Sequence, residues 1–177
     1  DNPEEFVIDK IQELIFPNHP LGWNILGTHQ SLDKLSKDDL LNFTDAFYCT
    51  ENIVFSFNGS IPHHKVLKAL ERYSADIKSS SQKIKAQTAP DYKKIDTHIE
   101  KDLNQVYAVL AAPGFSLRDA NLPCVVFLTN VLGGPSMNSI LNLSVREKYG
   151  FVYQIDSAYS AYKDSGWFNI YLGTDPK

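Results

Sequence analysis

Val152-Tyr153-Gln154-Ile155-Asp156-Ser157-Ala158-Tyr159-Ser160-Ala161-Tyr162, then Asp164-Ser165-Gly166, then Trp167-Phe168-Asn169-Ile170-Tyr171-Leu172: this stretch decides the fold. It reads as two strands, about 152–162 and 167–172, paired antiparallel across a glycine-containing turn. Working outward, Gln105–Ala112 alternates as a further long strand that Pro113-Gly114 breaks. Between them, an apolar helix is expected around Leu122–Leu132, with Pro123 in its first turn and Gly133-Gly134-Pro135 at its end. A second helix, around Asn138–Lys148, stops at Gly150.

Toward the N-terminus, Asn2-Pro3-Glu4-Glu5 is a helix start: a capping side chain, a proline where no N–H is needed, and two acids at the positive end. Val7, Ile11, Leu14 and Ile15 follow on one face, and Pro17 stops the helix. Ser36 and Asp39 have capping-box spacing ahead of Leu40, Phe43, Thr44 and Phe47, which are expected to face inward. Ile53–Phe57 reads as a strand, because its odd positions are all large and apolar. Pro62 begins another helix carrying Val66, Leu67, Leu70 and Tyr73. From Lys78 to Asp91 apolar periodicity disappears into a Ser, Lys, Gln, Ala, Thr and Pro mixture, the composition of a linker. The fold class is therefore α+β with mostly antiparallel pairing. A single strand before the linker cannot make a sheet; its partners must come from the second part or from sequence upstream.

Composition narrows the function classes. With 43% hydrophobic and 21% charged residues the chain is ordinary globular material, and no apolar run approaches the ~20 residues of a bilayer helix. A net charge of −4 argues against a nucleic-acid binder. Cys49 and Cys124 sit in patterns that read as buried and are taken as free thiols, which favours the cytoplasm, with the periplasm as the alternative. Asp1-Asn2-Pro3 and Gly173-Thr174-Asp175-Pro176-Lys177 both read as internal to something longer.

Metal ligation on a helix wants histidines at i and i+3 or i+4. None of His19, His29, His63, His64 and His98 has that spacing, so no zinc site is expected within this chain. His63 and His64 read as a solvated helix start, His19 as a structural loop residue. There is no GxSxG elbow and no P-loop, and Gly133-Gly134 reads first as a helix stop. One constellation is richer. Arg146 and Glu147 fall in the last turns of a helix, Gly150 ends it, and Tyr153 opens the next strand, placing a guanidinium and a phenol at one helix–strand connection. A dipole-favoured cap beside a packed aromatic is the plain account; a site is the other.

Several segments in register resemble the insulinase-like zinc metallopeptidase family (the inverzincin or pitrilysin group, including mitochondrial processing peptidase), and most resemble its single-chain bacterial members. They are Asp1–Glu5, His19-Pro20-Leu21-Gly22, Ile25-Leu26-Gly27-Thr28, Asn52–Ser56, Leu132–Ser139, Arg146–Tyr153 and Gly173–Pro176. The resemblance implies two similar domains closing like a clamshell, the first holding zinc through H-x-x-E-H and a later Glu upstream of Asp1. Residues 1–78 would then be the closing half of the metal-binding domain, 79–91 the linker, and 92–177 the opening half of the second domain.

It also implies a zinc-dependent endopeptidase acting on peptides or unfolded polypeptides, with no nucleic-acid or membrane partner and a homodimer left open. Arg146 and Tyr153 would be its catalytic and substrate-binding contribution here, touching the substrate backbone near the scissile carbonyl, where a phenol O–H can stabilise an oxyanion. Gly133 and Gly134 would line the chamber as substrate-binding residues. The family often has Arg where Trp23 and Ile140 stand here, so charge preferences built on those positions do not carry over. The zinc ligands being elsewhere, this piece alone is expected to be inactive. The rival reading is a non-catalytic, substrate-presenting member of the same family.

Overall fold

The computed structural model describes residues 2–79 and 87–176. They fall into two compact units, one drawn from residues up to Leu26 together with those from Gln87 onward, the other from Gly27 onward within the first stretch. The expected architecture is present: six helices and a three-stranded antiparallel sheet among the described residues.

The first unit holds the sheet. Strands β1 (Val106–Gly114), β2 (Gln154–Ala161) and β3 (Gly166–Thr174) lie in the order β1-β3-β2, both pairings antiparallel, with Leu110 opposite Ile170 and Ile155 opposite Leu172. Contrary to the sequence expectation, Pro113 does not break β1; it sits in the ladder opposite Trp167. β1 is an edge strand, where proline's missing N–H is tolerated.

Helix α1 (Pro3–Ile15) is capped by the Asn2 side chain, which accepts from the Glu4 N–H at 3.1 Å. It packs against β1, and Ile15 and Phe16 form the core with Trp167, which is 2% exposed. The Phe16 ring meets Tyr162 edge-on at 6.0 Å. His19 is buried as a structural residue: Nδ1 accepts from the Leu21 N–H at 3.2 Å, leaving Nε2 to donate to the Gln87 carbonyl at 3.3 Å. The helix at the start of the chain therefore packs with the second part of the sequence, so the compact units do not divide at residue 78.

In the second unit, α2 (His29–Lys34), α3 (Lys37–Phe47) and α4 (His63–Tyr73) are set by local signals. Thr28 with Ser31, and Ser36 with Asp39, form reciprocal capping boxes. His63 and His64 are exposed at the start of α4. Two expectations fail. Leu40 and Phe43 are exposed and Phe47 only half-buried, and the segment 53–57 carries no strand and enters no sheet among the described residues. The physical reason is shared: an apolar face or an edge forms only as far as its own chain directs, and its burial needs a surface that these residues do not supply. Of the expected linker, residues 80–86 lie outside the described residues, and 87–91 carry no helix or strand.

Helix α5 (Leu122–Gly133) begins with proline in its first turn and packs on β2. Cys49 is fully buried, but Cys124 is exposed on α5, against expectation, on a side of the helix that the described residues leave uncovered; both thiols are free. No helix among the described residues is long and apolar enough to cross a membrane.

Candidate functional site

The loop after α5, the next helix and the start of β2 surround an open concavity of about 390 Å³. The helix, α6 (Asn142–Lys148), is wound with π-type turns rather than the ordinary α spacing that the sequence suggested. Single wide turns of this kind are rare and concentrate at functional sites. Gly150 ends it in the left-handed region at φ 62°, donating to the Arg146 carbonyl at 2.9 Å, while the Phe151 N–H reaches the Val145 carbonyl at 3.1 Å. That reversal turns the chain directly into β2 and brings Tyr153 back beside the helix.

The lining is polar: Arg146, Tyr153, Asn142, Gln154 and Asp156, with Pro135, Met137 and Ile155. Asn142 is buried and pins α6 to the sheet, its Nδ2 donating to Ser139 Oγ at 2.9 Å and to the Ile155 carbonyl at 3.3 Å. Gln154 Nε2 donates to Asp156 Oδ2 at 2.7 Å. The Arg146 side chain is 36% exposed, with Glu147 Oε1 3.9 Å from its Nε, a separation too long to satisfy the guanidinium. Tyr153 is 57% exposed, and its phenol donates to Asp175 Oδ2. That bond first, and the carboxylate's negative charge second, push the phenol above its usual value of 10.0.

Of the residues singled out from sequence, Arg146 and Tyr153 therefore line one concavity. The two glycines do not; the lining begins at Pro135. Gly133 is buried where α5 meets β2, and a Cβ there would lie 2.8 Å from the Ser157 backbone nitrogen. A Cβ on Gly134 would lie 2.7 Å from the Asn130 carbonyl oxygen. Both positions are closed to side chains by packing. Asn142, Asp156 and Asp175 were missed as site residues. Asp175 stood in a quoted segment, but nothing local ties it to a tyrosine 22 positions earlier.

A larger groove of about 690 Å³ runs beside α1 and β1, lined by Phe6, Ile11, Leu14, Ile99 and Tyr107 among others. It is more apolar overall, with Lys10, Asp96, His98, Glu100 and Lys101 also on its lining, whereas the smaller concavity is mainly polar and holds both Arg146 and Tyr153, which makes it the candidate site. Among the described residues no three His, Cys, Asp or Glu side chains come together as a metal site.

Comparison with known proteins bears on the family and the fold. Residues 34–177 match the family model described as the peptidase M16 inactive domain. An uncharacterized zinc protease of Rickettsia bellii is 35% identical over 98% of the chain and 42% of its own length. The zinc protease YmxG of Bacillus subtilis is 30% identical over the same shares. A crystal structure of a peptidase M16 inactive domain from Pseudomonas fluorescens superimposes with a TM-score of 0.87 at 24% identity, over 98% of this chain and 42% of that one. The chain spans about two fifths of the length of these relatives. With the family model covering most of its length, and the insulinase-like motifs in order along it, this chain belongs to the peptidase M16 family and carries that family's inactive domain.

Proposed function

We propose that this chain is part of a zinc-dependent endopeptidase that closes around peptides or unfolded polypeptide. In this reading the zinc ligands lie in sequence outside it, residues 1–78 complete the metal-binding domain, 79–91 are the linker, and 92–177 open the second domain. Arg146 and Tyr153 form the substrate-facing wall. The observation that carries this is their convergence: a fixed cation with free donors and an exposed phenol share one polar concavity at a widened helix end. Arg146 offers a planar array of donors suited to backbone carbonyls. Gly133 and Gly134 contribute by letting α5 end hard against its neighbours, which sets Pro135 at the rim of the substrate surface. Two free cysteines suit a reducing compartment such as the cytoplasm.

The test uses the full-length protein, its zinc content, and an internally quenched peptide as substrate. Arg146→Ala is expected to lower kcat/KM about 10- to 100-fold, the value of hydrogen bonds from a charged donor, with thermal stability unchanged. An unaffected kcat/KM removes the wall from the mechanism. A full-length protein that binds no zinc and cleaves nothing transfers the chain to the non-catalytic, substrate-presenting reading.

A further inference from the structure

Helix α1 belongs in sequence to the first stretch of the chain and in packing to the second. Ile15 and Phe16 close on Trp167, and Ile8, Ile11, Ala89, Ala111 and Tyr162 pack around that cluster. Side chains alternate across a sheet, so Trp167 and Ala111 share the face that α1 covers, while Ser157, against which α5 ends, points to the opposite face. The loop after α1 holds the helix in place. The Gln12 side-chain amide donates to the Leu21 carbonyl at 2.5 Å, and a Cβ on Gly22 would run into the Phe16 carbonyl oxygen. His19 reaches across to the Gln87 carbonyl, 68 positions further on, at 3.3 Å. At the other end of the helix, the Lys101 ammonium lies 3.4 Å from the centre of the Phe6 ring. Phe6, the Ile15–Phe16 pair and His19 are thus each fastened to sequence from Gln87 onward, and the other unit takes over at Gly27.

We propose that residues 1–26 are a strap: a segment that the first domain of the full-length protein lays across the sheet of the second, holding the two together independently of the covalent linker. This rests on the reading above that residues 1–78 belong with the metal-binding domain. A clamshell joined by a linker alone can part freely about that one point. Two attachments, the linker and the strap, leave only rotation about the line between them, so opening to admit a peptide is a restricted turn in which the Ile15, Phe16 and Trp167 core stays closed.

The experiment uses full-length protein with a protease recognition sequence inserted between residues 79 and 87, cut after purification, diluted, and followed by size-exclusion chromatography. Cut wild type is expected to run as one species at the volume of the uncut protein. Phe16→Ala is expected to weaken the association of the cut pieces about 10²- to 10³-fold, the loss of a buried ring, and Phe16→Leu to retain most of it. Uncut wild type supplies a readout that needs no variant to fold: the α1 amides from Ile11 to Ile15 exchange hydrogen in step with the β3 amides of Asn169 and Tyr171, because one core holds both. Three results overturn the strap: cut wild-type pieces that separate, cut Phe16→Ala pieces that stay joined as firmly as wild type, or α1 amides that exchange independently of β3. Cleavage of the quenched peptide by uncut protein is scored apart from these. Pieces that separate in an active protein remove the strap alone, and pieces that hold in an inactive one remove the peptidase reading alone.

Discussion

The two units show what local and non-local information each contribute. The first has a three-stranded sheet, a helix packed on it, and Trp167 sealed with Ile15 and Phe16. The second has two capping boxes and three helices, yet its fully buried apolar side chain is Cys49, while Val54 is 92% exposed and Leu40 60%. Helix starts are written in neighbouring residues and form wherever those residues are. Burial is a contract between distant segments, and in the second unit the other party is missing from these residues. That is the pattern expected of part of a domain, and within the proposal for residues 1–78 it bears on the stretch from Gly27 onward, since the residues before it pack in the first unit.

The largest expected effect separates the units directly. Trp167→Ala should cost about 3–5 kcal/mol, the range for deleting a large buried aromatic, and should be seen as lost hydrogen-exchange protection of the β3 amides of Asn169 and Tyr171. Phe43→Ala, although it removes a ring 4.8 Å from that of Phe47, acts on a side chain 55% exposed and should stay within about 1 kcal/mol. Equal costs would erase the distinction between a unit with a core and one without.

How much of this was readable in advance follows the same division. The Asn2 and Ser36 caps, Pro123 at the start of α5, the stop at Gly150 and all three strands of the sheet are written locally, and the structure has them. The passage of β1 through Pro113 was not readable, because edge position depends on β3 lying between β1 and β2. Ile53–Phe57 has the pattern of a strand, but a strand is defined by its partner. In the candidate site, the shared neighbourhood of Arg146 and Tyr153 followed from a helix, a glycine and a strand in succession. The Asp175 bond did not, since only the β2–β3 hairpin brings that carboxylate to the phenol. The widened winding of α6 has no marker in its residues that we can identify.

A middle-sized effect tests the join between α5 and β2. Gly133→Ala places a Cβ 2.8 Å from the Ser157 nitrogen and 2.9 Å from its Oγ. The hydroxyl can rotate; the backbone nitrogen cannot, so α5 must withdraw and strain the 2.7 Å bond from Ser157 Oγ to the Thr129 carbonyl. A loss of about 1–3 kcal/mol is expected in urea unfolding. A neutral result would show that this helix–strand contact is looser than the first unit's core, and would weaken the contrast from its other side.

The smallest effect belongs to the second unit, where helix ends have little packing to support them. Ser36→Ala removes the hydroxyl half of the capping box, leaving only the backbone N–H at position 36 to donate to Asp39 Oδ2, and should cost α3 about 1 kcal/mol, enough to fray an 11-residue helix without a buried face. The same box makes α3 sensitive to acid. The Ser36 hydroxyl first, and its N–H second, hold the Asp39 carboxyl below its usual 3.8. Because the folded value lies below the unfolded one, the box contributes in full above about pH 4 and is lost as pH falls through the lower, folded value. The Cα shifts of Leu40 to Phe43 should therefore drift toward coil on acidification below that point, and in Ser36→Ala they should begin nearer coil and drift less. If wild type and variant titrate alike, the cap is not what holds α3, and the helix must owe its stability to a surface that its own unit does not show.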